Sequence, residues 1–230
     1  MNSSRIHVFA GPIRRTLGAP YFKVSRTDFL FMRALLKEDL MQDPFEQFSV
    51  WMAEAKRREK SPEAMCLSTI DFDGFPNGRF VLLRQFDERG FVFYTDTRST
   101  KGRSLLSSTK AALTFYWPKL DHQVRIQGTA ELVSDEQADS YFRHRPRMSR
   151  IVSWASEQSQ ILESPSILQS RVVELNREYR GRKIPRPSFW TGFRVVPLRF
   201  EFWNSRPYRL HDRFLYLRED DQWIIKQLCP

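Results

Sequence analysis

The sequence predicts a mainly β protein with helices, in which consecutive antiparallel strands form a barrel that peripheral α-helices decorate. Two observations lead to this prediction. After residue 62 the chain contains short runs rich in Val, Phe, Leu and Tyr, bounded by residues typical of turns. Helical patterns are inserted between these runs, and this order favours a β-barrel with added helices.

The composition is consistent with this fold. The chain has 230 residues, enough for one large domain, and hydrophobic residues make up 41% of it. Nineteen Phe and six Trp supply the volume of a core, so the chain is globular rather than disordered.

Several function classes are disfavoured by composition. The net charge is +10, but Lys and Arg are dispersed with no long basic tract, so we expect no nucleic-acid partner. No apolar run approaches the roughly 20 residues that span a membrane, and the N-terminus lacks the apolar stretch of a secretory signal. Cys66 and Cys229 are far apart and lack metal-ligand spacing. We therefore expect no membrane association, no disulfide, no metal and a cytoplasmic location.

The chain begins with a segment that has no firm pattern, residues 1–42, which we interpret as an N-terminal arm, either an amphipathic lid or a flexible extension. The main domain then covers residues 43–230. It begins with a predicted helix, because Asp43 is a good N-cap and Pro44 is tolerated in the first turn. The predicted buried face of this helix consists of apolar residues at helical spacing: Phe45, Phe48, Met52 and Ala55.

Strands and further helices follow. Five strands are predicted at Ala64–Ile70, Arg79–Gln85, Phe91–Thr95, Ala111–Trp117 and Gln123–Val133. Helices are predicted at Ser99–Ser107, from Ser134 to near Pro146, and from Ser164 onward. Three closing strands are predicted around 192–203, 208–218 and 222–228.

The most informative motif lies in the second closing strand and reads Arg209-Leu-His-Asp-Arg213. The period of two in an extended strand predicts that Arg209, His211 and Arg213 share one face. Two guanidinium groups and an imidazole repel one another unless an anionic ligand lies against them, which favours a phosphorylated ligand. A solvated edge strand whose charges prevent aggregation is the alternative.

Three further stretches are compatible with phosphate binding. Cations stand near both ends of the segment Arg79–Arg84. Lys101 lies between a strand and a helix, where backbone N–H groups and an ammonium group can hold a phosphate. Tyr141, Arg145 and Ser149 recur every four residues, which predicts that they lie near one face of a helix. Taken singly, each stretch also fits solvated cations at the ends of elements.

Taken together and in order, a set of motifs from Asp43 to Pro230 carries a family resemblance. The motifs are Arg79-Phe-Val-Leu-Leu, Phe115-Tyr-Trp, Gln123-Val-Arg, Tyr141-Phe-Arg-His-Arg-Pro-Arg, Ser188-Phe-Trp-Thr-Gly-Phe-Arg, Glu201-Phe-Trp and Arg209-Leu-His-Asp-Arg-Phe. They resemble the pyridoxine/pyridoxamine 5′-phosphate oxidases. The resemblance implies an antiparallel split β-barrel and a homodimer with FMN at the subunit interface. It also implies oxidation of pyridoxine or pyridoxamine 5′-phosphate by O2 to pyridoxal 5′-phosphate and H2O2.

The resemblance also implies site residues. Flavin contacts are implied at Arg79, Phe80, Val81, Leu82, Tyr94, Thr95, Thr100, Lys101, Gln123, Gln158, Ser159, Trp203 and Arg213. Contacts to the substrate phosphate are implied at Arg84, Tyr141, Arg145 and Ser149. Arg209 and His211 are implied as the catalytic pair over the pyridine ring, where Arg209 steers the ring and His211 orients the 4′ substituent or relays its proton.

The chain departs from the family pattern at several positions. Thr100 stands where the family usually has Arg, Arg84 where it has Lys, and Arg150-Ile-Val152 where it commonly has Gln-Ile-Gly. Two alternatives therefore stay open: a split-barrel flavoprotein with another substrate, and a non-catalytic barrel that binds pyridoxal phosphate or polyanions.

Overall fold

The computed structural model describes residues 34–220 and 222–230. The helices are α1 Pro44–Arg58, α2 Thr100–Ser107, α3 Asp135–His144, α4 Arg147–Ala155 and α5 Pro165–Glu178. The strands are β1 Ala64–Ile70, β2 Pro76–Leu82, β3 Gln85–Asp87, β4 Gly90–Asp96, β5 Lys110–Trp117, β6 His122–Leu132, β7 Trp190–Asn204, β8 Asp212–Glu219 and β9 Gln222–Leu228. Among the described residues, no helix has both the length and the apolar character needed to cross a membrane.

The strands form one antiparallel sheet in the order β2-β1-β5-β6-β7-β4-β3, and β8 and β9 extend it from β7. The long strand β7 pairs with β6 along its length, with β4 over its first half and with β8 over its second half. The predicted mainly β fold with peripheral helices is therefore confirmed as a split barrel.

The change of partner along β7 occurs at an irregularity. The register between β6 and β7 shifts at Gln127/Gly128, where Gln127 pairs with Arg199 and Gly128 pairs with Pro197, so that Leu198 is skipped. A Cβ added to Gly128 would lie 1.9 Å from the carbonyl oxygen of Val196, so a residue with a side chain cannot stand there without a backbone shift. Pro197 has no N–H to donate to a ladder, which suits a position where pairing is interrupted.

Helix α1 packs its apolar face against the barrel strands, as its apolar pattern predicts. The Asp43 side chain accepts a hydrogen bond from the backbone N–H of Phe45 at 2.6 Å and so caps the helix. Phe48 is fully buried, and its ring centroid lies 4.9 Å from that of Phe91 and 5.1 Å from that of Phe115. These edge-to-face contacts attach α1 to β4 and β5, two strands that β6 and β7 separate in the sheet.

The predicted strand Arg79–Gln85 is wrong in one respect. Strand β2 ends at Leu82, and β3 begins at Gln85 after a break. At this break the chain leaves its pairing with β1, where Leu82 faces Ala64, and joins β4, where Gln85 faces Val92. Since β2 and β3 stand at opposite ends of the sheet order, the break places Arg84 where the sheet curls round.

The predicted strand at 208–218 begins later, at Asp212. Pro207–Arg209 forms a tight turn instead, in which Tyr208 and Arg209 have left-handed φ values of 56° and 63°. Because two successive left-handed residues break the period of two, the prediction that Arg209, His211 and Arg213 share one strand face is wrong. Pro207 favours this turn because its ring fixes φ and removes a donor.

Residues 1–33 of the predicted arm lie outside the described residues. Residues 35–42 of the predicted arm lie against the barrel: the Leu35 N–H donates to Asp212 Oδ2 at 3.0 Å, and Gln42 Nε2 donates to the Trp223 carbonyl at 2.6 Å. The boundary at residue 42 stays a prediction.

Candidate active site

A cavity of about 430 Å³ opens where α3 and α4 face the end of β4 and the start of β7. Its lining includes all four residues implied for the substrate phosphate: Arg84, Tyr141, Arg145 and Ser149. It also includes three of the implied flavin contacts: Tyr94, Thr95 and Gln158. The structure therefore brings the residues implied for the substrate phosphate and some of those implied for the flavin together in one cavity, lined by cationic and aromatic side chains.

The cavity wall is built by a kink between two helices. Helix α3 ends at His144, Arg145 is its C-cap, and Pro146 precedes α4. Because Pro146 cannot continue the hydrogen bonding of α3, the prediction that Tyr141, Arg145 and Ser149 lie on one helix is wrong. The kink nevertheless turns all three side chains toward the same cavity.

The guanidinium of Arg145 is held on two sides. Its central carbon lies 4.6 Å from the ring centroid of Trp190, and its Nη1 donates to Ser153 Oγ at 2.6 Å. Burial, together with the nearby charge of Arg84, lowers the pKa of Arg145 from its ordinary value. An arginine stays protonated at neutral pH, so this side chain presents a fixed, partly desolvated cation to the cavity.

Three parallel aromatic rings support this cation. The ring of Tyr94 stacks on that of Tyr141 at 4.0 Å between centroids and on that of Trp190 at 5.2 Å, with interplanar angles of 3° and 6°. Burial raises the pKa of the Tyr94 phenol. The stack keeps the three rings in fixed orientations and gives the cavity a rigid wall.

Beside the cavity, Lys101 joins two of the implied flavin contacts. Its Nζ donates to Gln158 Oε1 at 3.1 Å and to Thr95 Oγ1 at 3.4 Å. Burial, together with the charge of Arg79, lowers the pKa of Lys101. Ser99 caps α2 by accepting from the Gly102 N–H at 3.2 Å, so Lys101 stands in the first turn of a helix. A half-buried ammonium beside neutral oxygens at a helix N-terminus suits a phosphate group.

The strand β2 presents alternating faces. Phe80 and Leu82 are 77% and 39% exposed, whereas Val81 packs against the core. Arg79 donates from Nη1 to Thr69 Oγ1 at 2.8 Å, which holds its side chain across β1. The exposed apolar side chains leave one face of this edge strand open to a planar ligand or to another chain.

A second cluster lies at the far end of β7. Gln123 pairs with Trp203, and the His211 ring lies 4.5 Å from the Trp203 ring. His211 Nδ1 accepts from the backbone N–H of Arg206 at 3.1 Å, which assigns the proton of a neutral ring to Nε2. Arg213 donates to Glu201 Oε1 at 2.8 Å, so its guanidinium is already paired with a carboxylate.

The two clusters stand apart within one chain. Tyr94 pairs with Gly192 near the start of β7, and Gln123 pairs with Trp203 near its end. At about 3.3 Å per residue, roughly 35 Å of strand separates these two pairs. A single small ligand therefore cannot contact both clusters through one copy of β7 unless another chain contributes.

The comparisons with known proteins agree with this geometry. Residues 52–178 match the family model described as pyridoxamine 5′-phosphate oxidase, and residues 190–230 match that of the pyridoxine 5′-phosphate oxidase C-terminal dimerisation region. The pyridoxine/pyridoxamine 5′-phosphate oxidase of Caulobacter vibrioides is 48% identical, covering 82% of this chain and 86% of that protein. The chain belongs to the pyridoxine/pyridoxamine 5′-phosphate oxidase family.

Similarity extends to other relatives and to solved structures. The Rhizobium meliloti protein of the same name is 50% identical, over 82% of this chain and 93% of its own. Among solved structures, PhzG from Burkholderia lata 383 in complex with tetrahydrophenazine-1-carboxylic acid has a TM-score of 0.80 and 31% identity. It covers 86% of this chain and 98% of that chain. An FMN-binding protein from Nostoc punctiforme, 18% identical with a TM-score of 0.65 over 83% of this chain and 100% of that one, shares the fold.

Arg98 lies two residues before Thr100, one of the positions where the chain departs from the implied family pattern. Arg98 donates from Nη2 to Asp96 Oδ2 at 2.7 Å, and its central carbon lies 3.3 Å from the Phe189 ring centroid. This guanidinium is therefore paired with a carboxylate and packed on an aromatic ring. Thr100 itself is the first residue of α2.

Among the cavity residues that sequence reasoning missed, two contact Arg145 directly. Trp190 supplies the face under Arg145, and Ser153 supplies the hydroxyl at its edge. Trp190 stands inside the motif that begins at Ser188, and Ser153 follows Ser149 by one helical turn. The sequence therefore offers a signal at both positions, but the contacts of the two side chains with Arg145 are visible only in the folded structure.

Proposed function

We propose that this chain is an FMN-dependent oxidase that converts pyridoxine or pyridoxamine 5′-phosphate to pyridoxal 5′-phosphate, while O2 is reduced to H2O2. The observation that carries the proposal is the cavity in which Arg84, Tyr141, Arg145 and Ser149 converge. A fixed guanidinium with neighbouring hydroxyl donors suits a phosphate dianion. The curated relatives at 48–50% identity carry this activity in their names.

The phosphate contacts serve as an anchor. They lie away from the carbon that reacts, so their binding energy positions the pyridine ring rather than changing its chemistry. The aromatic wall of Tyr94, Tyr141 and Trp190 keeps this anchor from moving. We expect substrate lacking the phosphate to bind weakly.

FMN is the flavin that fits the residues present. Lys101 at the start of α2 would hold its phosphate, with Thr95 and Gln158 beside it. Trp203 and Gln123 would contact the flavin from the other cluster. When bound, FMN supplies the redox chemistry, by accepting the hydride from the 4′ carbon and reducing O2.

We further propose a homodimer in which each active site, including FMN, lies between two chains. The match of residues 190–230 to a dimerisation region supports this assembly. The separation of the two clusters along β7 supports it as well, because a two-fold axis can bring one cluster of each chain together. Exposed apolar side chains on the sheet, such as Phe80 and Tyr116, are suited to a buried interface.

In this arrangement the loop between β7 and β8 acts on the reacting end of the substrate. Arg209 would stabilise negative charge on the pyridine ring, and His211 would hold or move the proton of the 4′ substituent at Nε2. Asp212 is buried and accepts from Asn204 and Arg206, which ties this loop to the barrel. Left-handed backbone at Arg209 is a kind of strain found at functional sites.

A second candidate is oxidation of a different, carboxylated or tricyclic substrate. It is favoured by Met148 and Val152, apolar side chains that line the cavity and are 48% and 41% exposed. The structure of PhzG with tetrahydrophenazine-1-carboxylic acid shows that a protein 31% identical binds such a molecule. Arg84 and Arg145 could bind a carboxylate as well as a phosphate.

An aerobic turnover assay on FMN-loaded protein decides between these candidates. The purified protein is first checked for flavin absorbance, and then pyridoxine and pyridoxamine 5′-phosphate are added in air. We expect pyridoxal 5′-phosphate and H2O2 in equal amounts. Flavin binding without either product would support the second candidate, and a protein that takes up no FMN would rule out both.

Substitution of Thr100 by Arg is expected to tighten FMN binding about tenfold, because it adds one charge-assisted hydrogen bond to the phosphate. Arg98 does not supply this contact, since Asp96 and Phe189 hold it. Fluorescence titration of the apoprotein with FMN measures the effect. Thr109→Arg adds the same charge beyond the other end of α2 and serves as the control. Equal affinities for wild type and Thr100→Arg would show that the position does not reach the phosphate.

A further inference from the structure

The hydroxyl of Ser153 has a defined hydrogen-bonding state. It donates to the carbonyl oxygen of Ser149 at 2.8 Å, one turn earlier in α4. A hydroxyl has one hydrogen to donate, so its remaining capacity is as an acceptor. Arg145 Nη1 uses that capacity at 2.6 Å. The direction of each hydrogen bond is thereby fixed.

This contact determines how Arg145 faces the cavity. The Trp190 ring packs against the flat face of the guanidinium, and the Ser153 hydroxyl binds its edge, so both restrict the movement of the group. One Nη1 hydrogen is directed to Ser153, which leaves the other N–H groups of the planar fork to point elsewhere. Arg84 and Ser149 line the same cavity, so these donors converge on one anion position.

We propose that Ser153 is a positioning residue that holds the Arg145 guanidinium in the orientation that binds the substrate phosphate. The proposal deepens the proposed function and rests on it for the identity of the anion. Without the hydroxyl, Arg145 keeps its charge and its contact with Trp190 but can rotate within the plane of stacking. Ordering the guanidinium then becomes part of the cost of binding the phosphate.

A serine hydroxyl bonded to the carbonyl four residues earlier is also a common local feature of helices. If this were its whole role, its removal would affect the stability of α4 and leave phosphate binding as it is. The two roles are separable, because only the positioning role acts through Arg145.

The test uses the FMN-loaded enzyme with Ser153→Ala, Ser153→Thr, Arg145→Ala and the Ser153→Ala/Arg145→Ala double variant. The probes are inorganic phosphate, 4-deoxypyridoxine 5′-phosphate, which has no 4′ hydroxyl to oxidise, and 4-deoxypyridoxine without the phosphate. Calorimetric titration gives each Kd, and steady-state assays give KM and kcat. Thermal unfolding of each variant monitors the fold.

For Ser153→Ala we expect Kd for both phosphate-containing probes, and KM for the substrate, to rise roughly tenfold. The Kd for 4-deoxypyridoxine and kcat should stay within about twofold, and Ser153→Thr should restore binding because it keeps the hydroxyl. In the Arg145→Ala background, loss of Ser153 should have no further effect on phosphate affinity.

Unchanged phosphate affinity in Ser153→Ala would overturn the proposal, as would an equal loss for 4-deoxypyridoxine or an additive loss in the double variant. Turnover by the wild type tests the proposed function separately. If the wild type oxidises neither vitamer but Ser153→Ala still weakens inorganic phosphate, the proposed function fails and the positioning role stands. If the wild type turns over and Ser153→Ala behaves like it, only the positioning role fails.

Discussion

Replacing Arg209 by Ala is expected to lower kcat about 10²–10³-fold while FMN remains bound, since a preorganised cation at the reacting ring is removed. Arg209 is exposed in the single chain and sits in a tight turn with φ of 63°. Alanine keeps the Cβ, so the backbone strain at this position is the same in variant and wild type. The loss of rate can therefore be assigned to the guanidinium.

Steady-state kinetics and flavin absorbance of the purified variant measure this effect. Arg218→Ala removes an exposed guanidinium from β8 and is the matched control, with activity expected near that of the wild type. Arg209→Lys keeps the charge without the planar fork and should recover part of the rate. A variant that loses FMN, or that keeps more than about a tenth of the wild-type kcat, would place Arg209 outside the catalytic role.

Replacing Arg145 by Ala is expected to lower kcat/KM for the phosphorylated substrate by about a hundredfold or more, because the charge-assisted hydrogen bonds that we propose it makes to the phosphate are lost. The effect should be confined to ligands that carry the phosphate. Affinity for 4-deoxypyridoxine should change little, since Arg145 lines the part of the cavity that we propose binds the anion.

Arg147→Ala is the control for this experiment. Arg147 stands two residues away but points elsewhere, donating to Asn176 Oδ1 at 2.7 Å and to the Tyr179 carbonyl at 2.9 Å. The substitution Arg147→Ala should lower the free energy of unfolding, because it removes contacts between α4 and α5, and should leave KM unchanged. Equal losses of kcat/KM in Arg145→Ala and Arg147→Ala would mean that Arg145 acts through the fold rather than on the phosphate.

Much of the fold could be predicted from local signals. The Asp43-Pro44 start and the apolar spacing through Phe48 predict α1, and the structure packs the apolar face of that helix against the barrel strands. The strands β1, β5 and β6 were predicted within a few residues, because their sequences alternate in a sheet with one buried face. In these elements local propensity and tertiary packing agree.

The failures arise where tertiary structure overrides a local period. Nothing in the sequence of Arg79–Gln85 shows that the chain must leave one end of the sheet for the other after Leu82. The alternation across Arg209–Arg213 ignores the left-handed backbone after Pro207. The acceptor role of Ser153 depends on where Arg145 lies after a helix kink, which no spacing rule supplies.

We infer that each active site takes Arg145 from one chain and Arg209 from its partner. The test is a purified heterodimer, selected by two different tags, of one Arg145→Ala chain and one Arg209→Ala chain. Such a dimer has one site with both substitutions and one intact site. We predict about half of the wild-type activity per dimer, although both parent homodimers are nearly inactive. A heterodimer as inactive as its parents would contradict the shared site and place both arginines in the active site of a single chain.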